Sequence, residues 1–176
     1  MIKINSFIFS ILFLFSFIVI ANDDLSYVDG SKPFILIKDI NRQAEAWGTC
    51  SAAYEVMAVI LESTPAQAKK VKDLGNGASL AVVMSHVSDG LTSDITPEKF
   101  TALWAYSKTL ADSIPETRKT MILADAEALG NKGAELFANK ISATVKVCLS
   151  NLEGQQTYID TWRELAKSGL LKFPPK

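Results

Sequence analysis

Few residues in this chain are suited to chemistry, and their types set narrow limits. There is one histidine, His86, and two cysteines, Cys50 and Cys148, 98 positions apart. A Ser-His-Asp triad would need His86 as its base, and no G-x-S-x-G turn precedes a helix. A di-iron bundle needs two Glu-x-x-His motifs, whereas Val83 stands three positions before His86. Zinc sites built from several His or Cys ligands are excluded if the cysteines are bonded to each other. With Ser85 and Asp89 nearby, His86 reads as a helix-surface or partly buried residue.

Cofactor chemistry fares no better. Covalent haem attachment needs C-x-x-C-H, which the sequence lacks. A non-covalent haem would take His86 with Met57 or Met84, but Met84 is two residues from His86 and so faces elsewhere on a helix. Methionines at helical spacing read as core, and neither cofactor nor metal is expected. Carboxylate pairs exist at Glu45 and Glu55, Asp112 and Glu116, and Asp125 and Glu127, yet nothing in the sequence draws a pair into a cleft. The loop from Asp89 to Asp94 lacks the alternating oxygen ligands and final Glu of an EF-hand. Phosphate-cradling and dinucleotide-binding glycine patterns are absent as well.

The cysteines speak about compartment. Residues 1–21 have the build of a secretory signal peptide: Lys3, an apolar core of 14 residues from Phe7 to Ile20, and Val19-Ile20-Ala21 before Asn22. That core is short of the ~20 residues a spanning helix needs, so cleavage after Ala21 is expected and no membrane span should remain. In an exported chain two cysteines tend to pair, and Cys50 with Cys148 is the one intramolecular connectivity. Closing so long a loop stabilises by about 4–5 kcal/mol in the chain-entropy model. The expected location is the periplasm or the medium.

The mature chain of 155 residues, 22–176, fits a single domain with a real core. Its 17 basic and 19 acidic side chains nearly cancel, which argues against nucleic acid or any partner recognised by bulk charge. The basic cluster Lys69, Lys70 and Lys72 points in several directions around a helix and reads as solvated surface.

The elements that would position these residues are helical. Ile40, Trp47, Cys50, Tyr54, Met57 and Leu61 keep the helical period, broken only by Gln43. Ser31 as cap and Pro33 in the first turn predict that this helix begins near Ser31 and stops near Ser63. Thr64-Pro65-Ala66-Gln67 starts a second helix, with a kink or break expected at Gly75-Asn76-Gly77. Thr96-Pro97-Glu98 starts a third, and Ser113-Ile114-Pro115-Glu116 predicts that the chain turns there and begins another. The seam changes phase between Leu129 and Phe137, beside Gly130 and Gly133, which marks a further break. Phe137, Ile141, Thr144 and Cys148 continue on one face. Gly154 is expected to separate a last helix bearing Tyr158, Ile159, Trp162 and Leu165, with Gly169 as its C-terminal cap and residues 173–176 as a tail. No segment alternates at period two, so the fold is expected to be all-α: an antiparallel helical bundle of about four principal helices plus shorter pieces, with one disulfide.

Beside the cysteine seam runs a strip of small residues, Ala44, Gly48 and Ala52, next to Trp47. Small residues let backbones approach closely, which serves internal packing or a docking partner helix. These four are the candidate binding residues. The stretch Trp47-Gly48-Thr49-Cys50-Ser51-Ala52-Ala53-Tyr54 resembles, in a general way, the cysteine-bearing first helix of small exported bacterial helical proteins, a likeness that gives no residue a role. By elimination the expected function is that of an exported, non-enzymatic binding or accessory protein of inhibitor, immunity or periplasmic accessory type, with a protein or small molecule as partner. The alternative is a small-molecule carrier or enzyme with a site assembled from scattered Glu, Lys, Tyr and Ser residues.

Overall fold

The computed structural model describes residues 25–92 and 94–171. The expected leader, residues 1–21, and the tail, 173–176, lie outside the described residues. Five α-helices lie among the described residues: α1 (Ile40–Ile60), α2 (Pro65–Gly90), α3 (Pro97–Leu129), α4 (Ala134–Ser150) and α5 (Leu152–Lys167). Short 3-10 turns occur at Phe34–Leu36 and Asn131–Gly133, and no strand is found among the described residues. The chain is all-α, as its sequence period predicts.

The first helix is the hub. Twelve of its 21 residues are buried, including Ala44, Trp47, Cys50 and Tyr54. Antiparallel to it, α2 packs with Ser79 against Ser51 (2.7 Å between hydroxyls) and Gly75 against Tyr54. After its antiparallel return along α2, where Tyr106 meets His86 and Leu103 meets Gly90, α3 lies parallel to α1. Its partner α4 runs back along α3, joined by Lys140 and Asp125, and is tied to α1 by the Cys50–Cys148 disulfide, whose Cα atoms are 5.6 Å apart. Both sulfurs' residues are buried.

Several helix boundaries differ from the sequence expectation, each for a physical reason. The first helix starts at Ile40 and not near Ser31. Asp39 caps it, its Oδ1 accepting from Asn41 (3.0 Å) and Arg42 (3.2 Å). Ser31 is instead held in a turn, its N–H donating to Asp29 Oδ1 at 2.8 Å. No break occurs at Gly75-Asn76-Gly77. Gly75 lets Tyr54 approach and Gly77 makes room for Gln155, so packing outweighs the low helix propensity of the pair. Nor does the chain turn at Pro115, which is buried inside the continuous α3. Ser113 donates back to Leu110 O (3.3 Å) and caps nothing, while Ile114 and Pro115 press onto α1 at Gly48, where a Cβ would strike Ile114.

The break after Leu129 is where the phase change put it, with Gly130 at φ +60°. The last helix is separated by Asn151, not Gly154. A single residue kinks α4 into α5, which continues in the same sense along α1: Gly154 packs on Trp47 and the Tyr158 hydroxyl donates to Gln43 Oε1 at 2.7 Å. Gly169 caps the end at φ +79°.

Candidate functional site

The segment before α1 walls a surface cleft. Residues 25–39 form a strap over the seam between α1 and α4, held at three places. At its start the Tyr27 N–H donates to Thr144 Oγ1 (2.9 Å) and the Tyr27 hydroxyl donates to Asp125. Lys140 pairs with the same Asp125 oxygen at 2.8 Å and lies 5.2 Å from the centre of the Tyr27 ring. Hydrogen bonds from Lys140 and Tyr27 hold the Asp125 carboxyl below its ordinary range; burial, then the bond to Asp125, pushes the Tyr27 phenol up.

Midway, Val28 enters the core and Gly30 lies on Val147. At the far end Phe34 is fully buried, edge-on to Trp47 with ring centres 5.0 Å apart. Its N–H donates to Asn151 Oδ1 (2.8 Å) and its carbonyl accepts from Gln43 Nε2 (2.8 Å). Asn151 Nδ2 in turn donates to Val147 O (2.9 Å), and Gln43 receives the Tyr158 hydroxyl. Gln43, the residue that broke the apolar seam of α1, is thus the centre of a buried polar network. Burial pushes the Tyr158 phenol up, partly offset by the Ser85 hydroxyl beside it.

Between this strap, α1 and Arg118 of α3 opens a cleft of about 510 Å³, with Tyr27, Leu36, Lys38, Arg42, Glu45 and Arg118 on its walls. Arg118 reaches Glu45 at 2.6 Å. A second cleft of about 370 Å³ lies where α1, α2 and α3 meet, and it gathers Glu55, Asp112 and Glu116 with Lys108 and Ser79. Lys119 bridges two of these carboxylates, Glu55 at 2.9 Å and Glu116 at 2.7 Å; its ammonium pKa is raised by Glu116 and Glu55. Pro115 has no N–H, so it cannot make the usual helical bond to the carbonyl of Ala111 on the wall of this cleft.

The candidate strip from the sequence lies inside the molecule. Ala44, Trp47 and Ala52 have no exposed area. Gly48 meets α3, Trp47 is wedged between Phe34 and Tyr158, and Ala52 joins Ile122 and Ile141 in a small cluster. These four residues face the chain's own helices.

Among the described residues three buried side-chain polar atoms have no hydrogen-bond partner: Trp47 Nε1, Tyr54 OH and His86 Nε2. Burial pushes the Tyr54 phenol up to about 12. It also lowers the His86 pKa, with Asp89 opposing. Tyr54 packs on Gly75, 11 positions before His86 and so about 16 Å from it along α2, and the two do not converge. Met57 packs with the Ile122–Ile141 cluster and not beside His86. Among the described residues no three His, Cys, Asp or Glu side chains are grouped to hold a metal ion, and no helix is long and apolar enough to cross a membrane.

Comparison with protein-family models, with curated proteins and with solved structures finds no match.

Proposed function

We propose that this chain is an exported, disulfide-stapled helical module that acts by binding a partner, as an inhibitor, immunity or periplasmic accessory protein does. One observation carries the reading: the strap that walls the larger cleft is fixed by a half-buried bond to Thr144 and buried bonds to Asn151 and Gln43. A rigid, half-open wall loses little freedom on binding, which favours recognition. The polar groups around it hold and orient, and the one histidine has its ring nitrogen buried elsewhere. Export is supported by the sequence of residues 1–21 and by the buried disulfide, a bond that persists outside the reducing cytosol.

Expression with a C-terminal tag, cell fractionation and mass measurement test the first half. The expected product starts at Asn22, carries no free thiol and leaves the cytosol. Cross-linking in the native envelope followed by pull-down tests the second half, with a specific partner expected. An uncleaved cytosolic chain with two free thiols would overturn export; no partner, together with a specific turnover in a substrate screen, would overturn binding.

A second reading, a small-molecule carrier or enzyme, is favoured by the convergence of Glu55, Asp112 and Glu116 on the smaller cleft. Native mass spectrometry of the purified chain would then reveal a bound small molecule that is lost in Glu55→Gln.

A further inference from the structure

The larger cleft is lined by three acids and four bases, and their hydrogen bonding is unequal. Every acid is already engaged. Asp29 accepts from the Ser31 N–H at 2.8 Å; Asp39 caps α1 and stands 3.9 Å from Arg42; Glu45 is paired with Arg118 at 2.6 Å. Lys32 and Lys38, by contrast, make no ion pair among the described residues, and the Arg42 side chain, 81% exposed, has only the long contact to Asp39. What the cleft offers an incoming group is therefore cationic. Between the two lysines in sequence stands Leu36, 63% exposed on the 3-10 turn, while the deeper lining, Val28 and Ala46, is apolar and buried.

On the reading of this chain as a partner-binding module, we propose that the cleft docks a short acidic segment of a partner protein that also carries an aliphatic side chain. Carboxylates of that segment meet Lys32, Lys38 and Arg42, and its aliphatic group covers Leu36 and reaches toward Val28. At about 510 Å³ the cleft lies within the range of sites that enclose a few side chains. The cleft is recessed between the strap, α1 and Arg118, a concavity that peptide side chains enter and the flat surface of a bilayer does not. The wall is preorganised by the clamps at Tyr27 and Phe34, so its backbone loses little freedom and the entropy of ordering falls on the partner segment and the lysine and arginine side chains that meet it. Cationic rims of this kind raise association rates and impose selectivity.

The probe is a phage-displayed library of random 12-residue peptides, selected on the immobilised chain with its disulfide intact. The best recovered peptide is then measured by fluorescence anisotropy against wild type and the double variant Lys32→Glu, Lys38→Glu. Both lysines are exposed and make no ion pair among the described residues, Lys32 acting on Asp29 only through space, so the variant should melt close to wild type. The expected result is enrichment of Asp and Glu beside Leu or Ile, a dissociation constant raised about tenfold or more by the double reversal, and weakening with salt. Peptides without acidic excess, equal affinity for both proteins, or preferential binding to phosphatidylglycerol vesicles would each overturn the assignment. An envelope partner captured equally by wild type and the double variant would leave the binding function standing and remove it from this cleft. Failure of wild type to capture any partner, together with a specific turnover in a substrate screen, would remove the binding function itself.

Discussion

Replacing Asn151 by alanine is the perturbation that most directly tests how the strap is held. The side chain makes two bonds in a buried setting, accepting from the Phe34 N–H at 2.8 Å and donating to Val147 O at 2.9 Å. Phe34 has no exposed area, so its amide would lose its partner without gaining water, at a cost of about 1–3 kcal/mol. Val147 O is less exposed to loss, because the backbone N–H of residue 151, now bonded to Cys148 O at 3.1 Å, can turn to it as in an ordinary helix. The kink between α4 and α5 then straightens, which pulls Gly154 from Trp47. We expect a total of about 2–4 kcal/mol, a melting point lower by roughly 5–15 °C for a domain of this size. Urea denaturation gives the free energy. Hydrogen exchange gives the location: the Phe34 amide should lose protection first, while Ser51 at the α1–α2 contact keeps its own. A loss below about 0.5 kcal/mol with Phe34 still protected would show that Asn151 neither holds the strap nor sets the kink.

Three further outcomes are expected. In Gly48→Val the new side chain meets Ile114 and the Pro115 backbone, so stability should fall by about 1–3 kcal/mol or more; an unchanged urea midpoint would reopen the strip to outside partners. The double variant Cys50→Ala, Cys148→Ala should lose about 4–5 kcal/mol, and in wild type the buried bond should resist thiol reagents until denaturant is added, as thiol titration would reveal. For His86 the folded-state pKa is depressed, so the unfolded chain takes up a proton that the folded chain refuses. Stability should be full above about pH 6.5 and decline as pH falls below it; with one histidine in the chain the window down to about pH 5 belongs to this residue, and His86→Gln should flatten it.

The period of 3.6 carried the architecture well where each helix has a clean apolar seam and a start signal. Pro65 and Pro97 open α2 and α3 at the expected positions, although only Thr96 caps its helix, accepting from the Lys99 N–H, while Thr64 donates back to Leu61 O; the Cys50–Cys148 bond follows from having two cysteines and one pairing. Errors came where tertiary contacts override local preference. The Gly75–Gly77 pair and Pro115 look like breaks along the chain, but each supplies a close approach to α1 or α5 that only the folded molecule can reveal. The cleft was illegible for a related reason. Its groups lie in residues 27–49 and at Arg118, and its wall depends on Thr144 and Asn151, so no local window contains it. One signal was present in the sequence: Gln43 interrupts an otherwise apolar seam. A buried glutamine must satisfy both its donor and its acceptor, so it implies polar partners from elsewhere. Here they are Phe34, Ile37 and Tyr158.

The same sequence separations order the formation of the site. The bonds that tie the strap to α4 and to the joint after it span most of the chain: 117 positions for Tyr27–Thr144 and for Phe34–Asn151. Closing such loops costs entropy before any contact repays it, so these bonds should form late, after the nearby α1–α2 hairpin, whose Ser51–Ser79 contact spans 28 positions. The disulfide removes much of that cost. Once Cys50 and Cys148 are joined, Thr144 and Asn151 lie within one helical turn of a fixed point on α1, and the strap has only to close a short loop onto α4. The staple in the core and the cleft on the surface are therefore parts of one device. Loss of the cysteines should loosen the strap as well as the bundle, and hydrogen exchange at Tyr27 and Phe34 should rise more than at Ser51. A uniform rise across all three would mean that the disulfide acts on global stability alone.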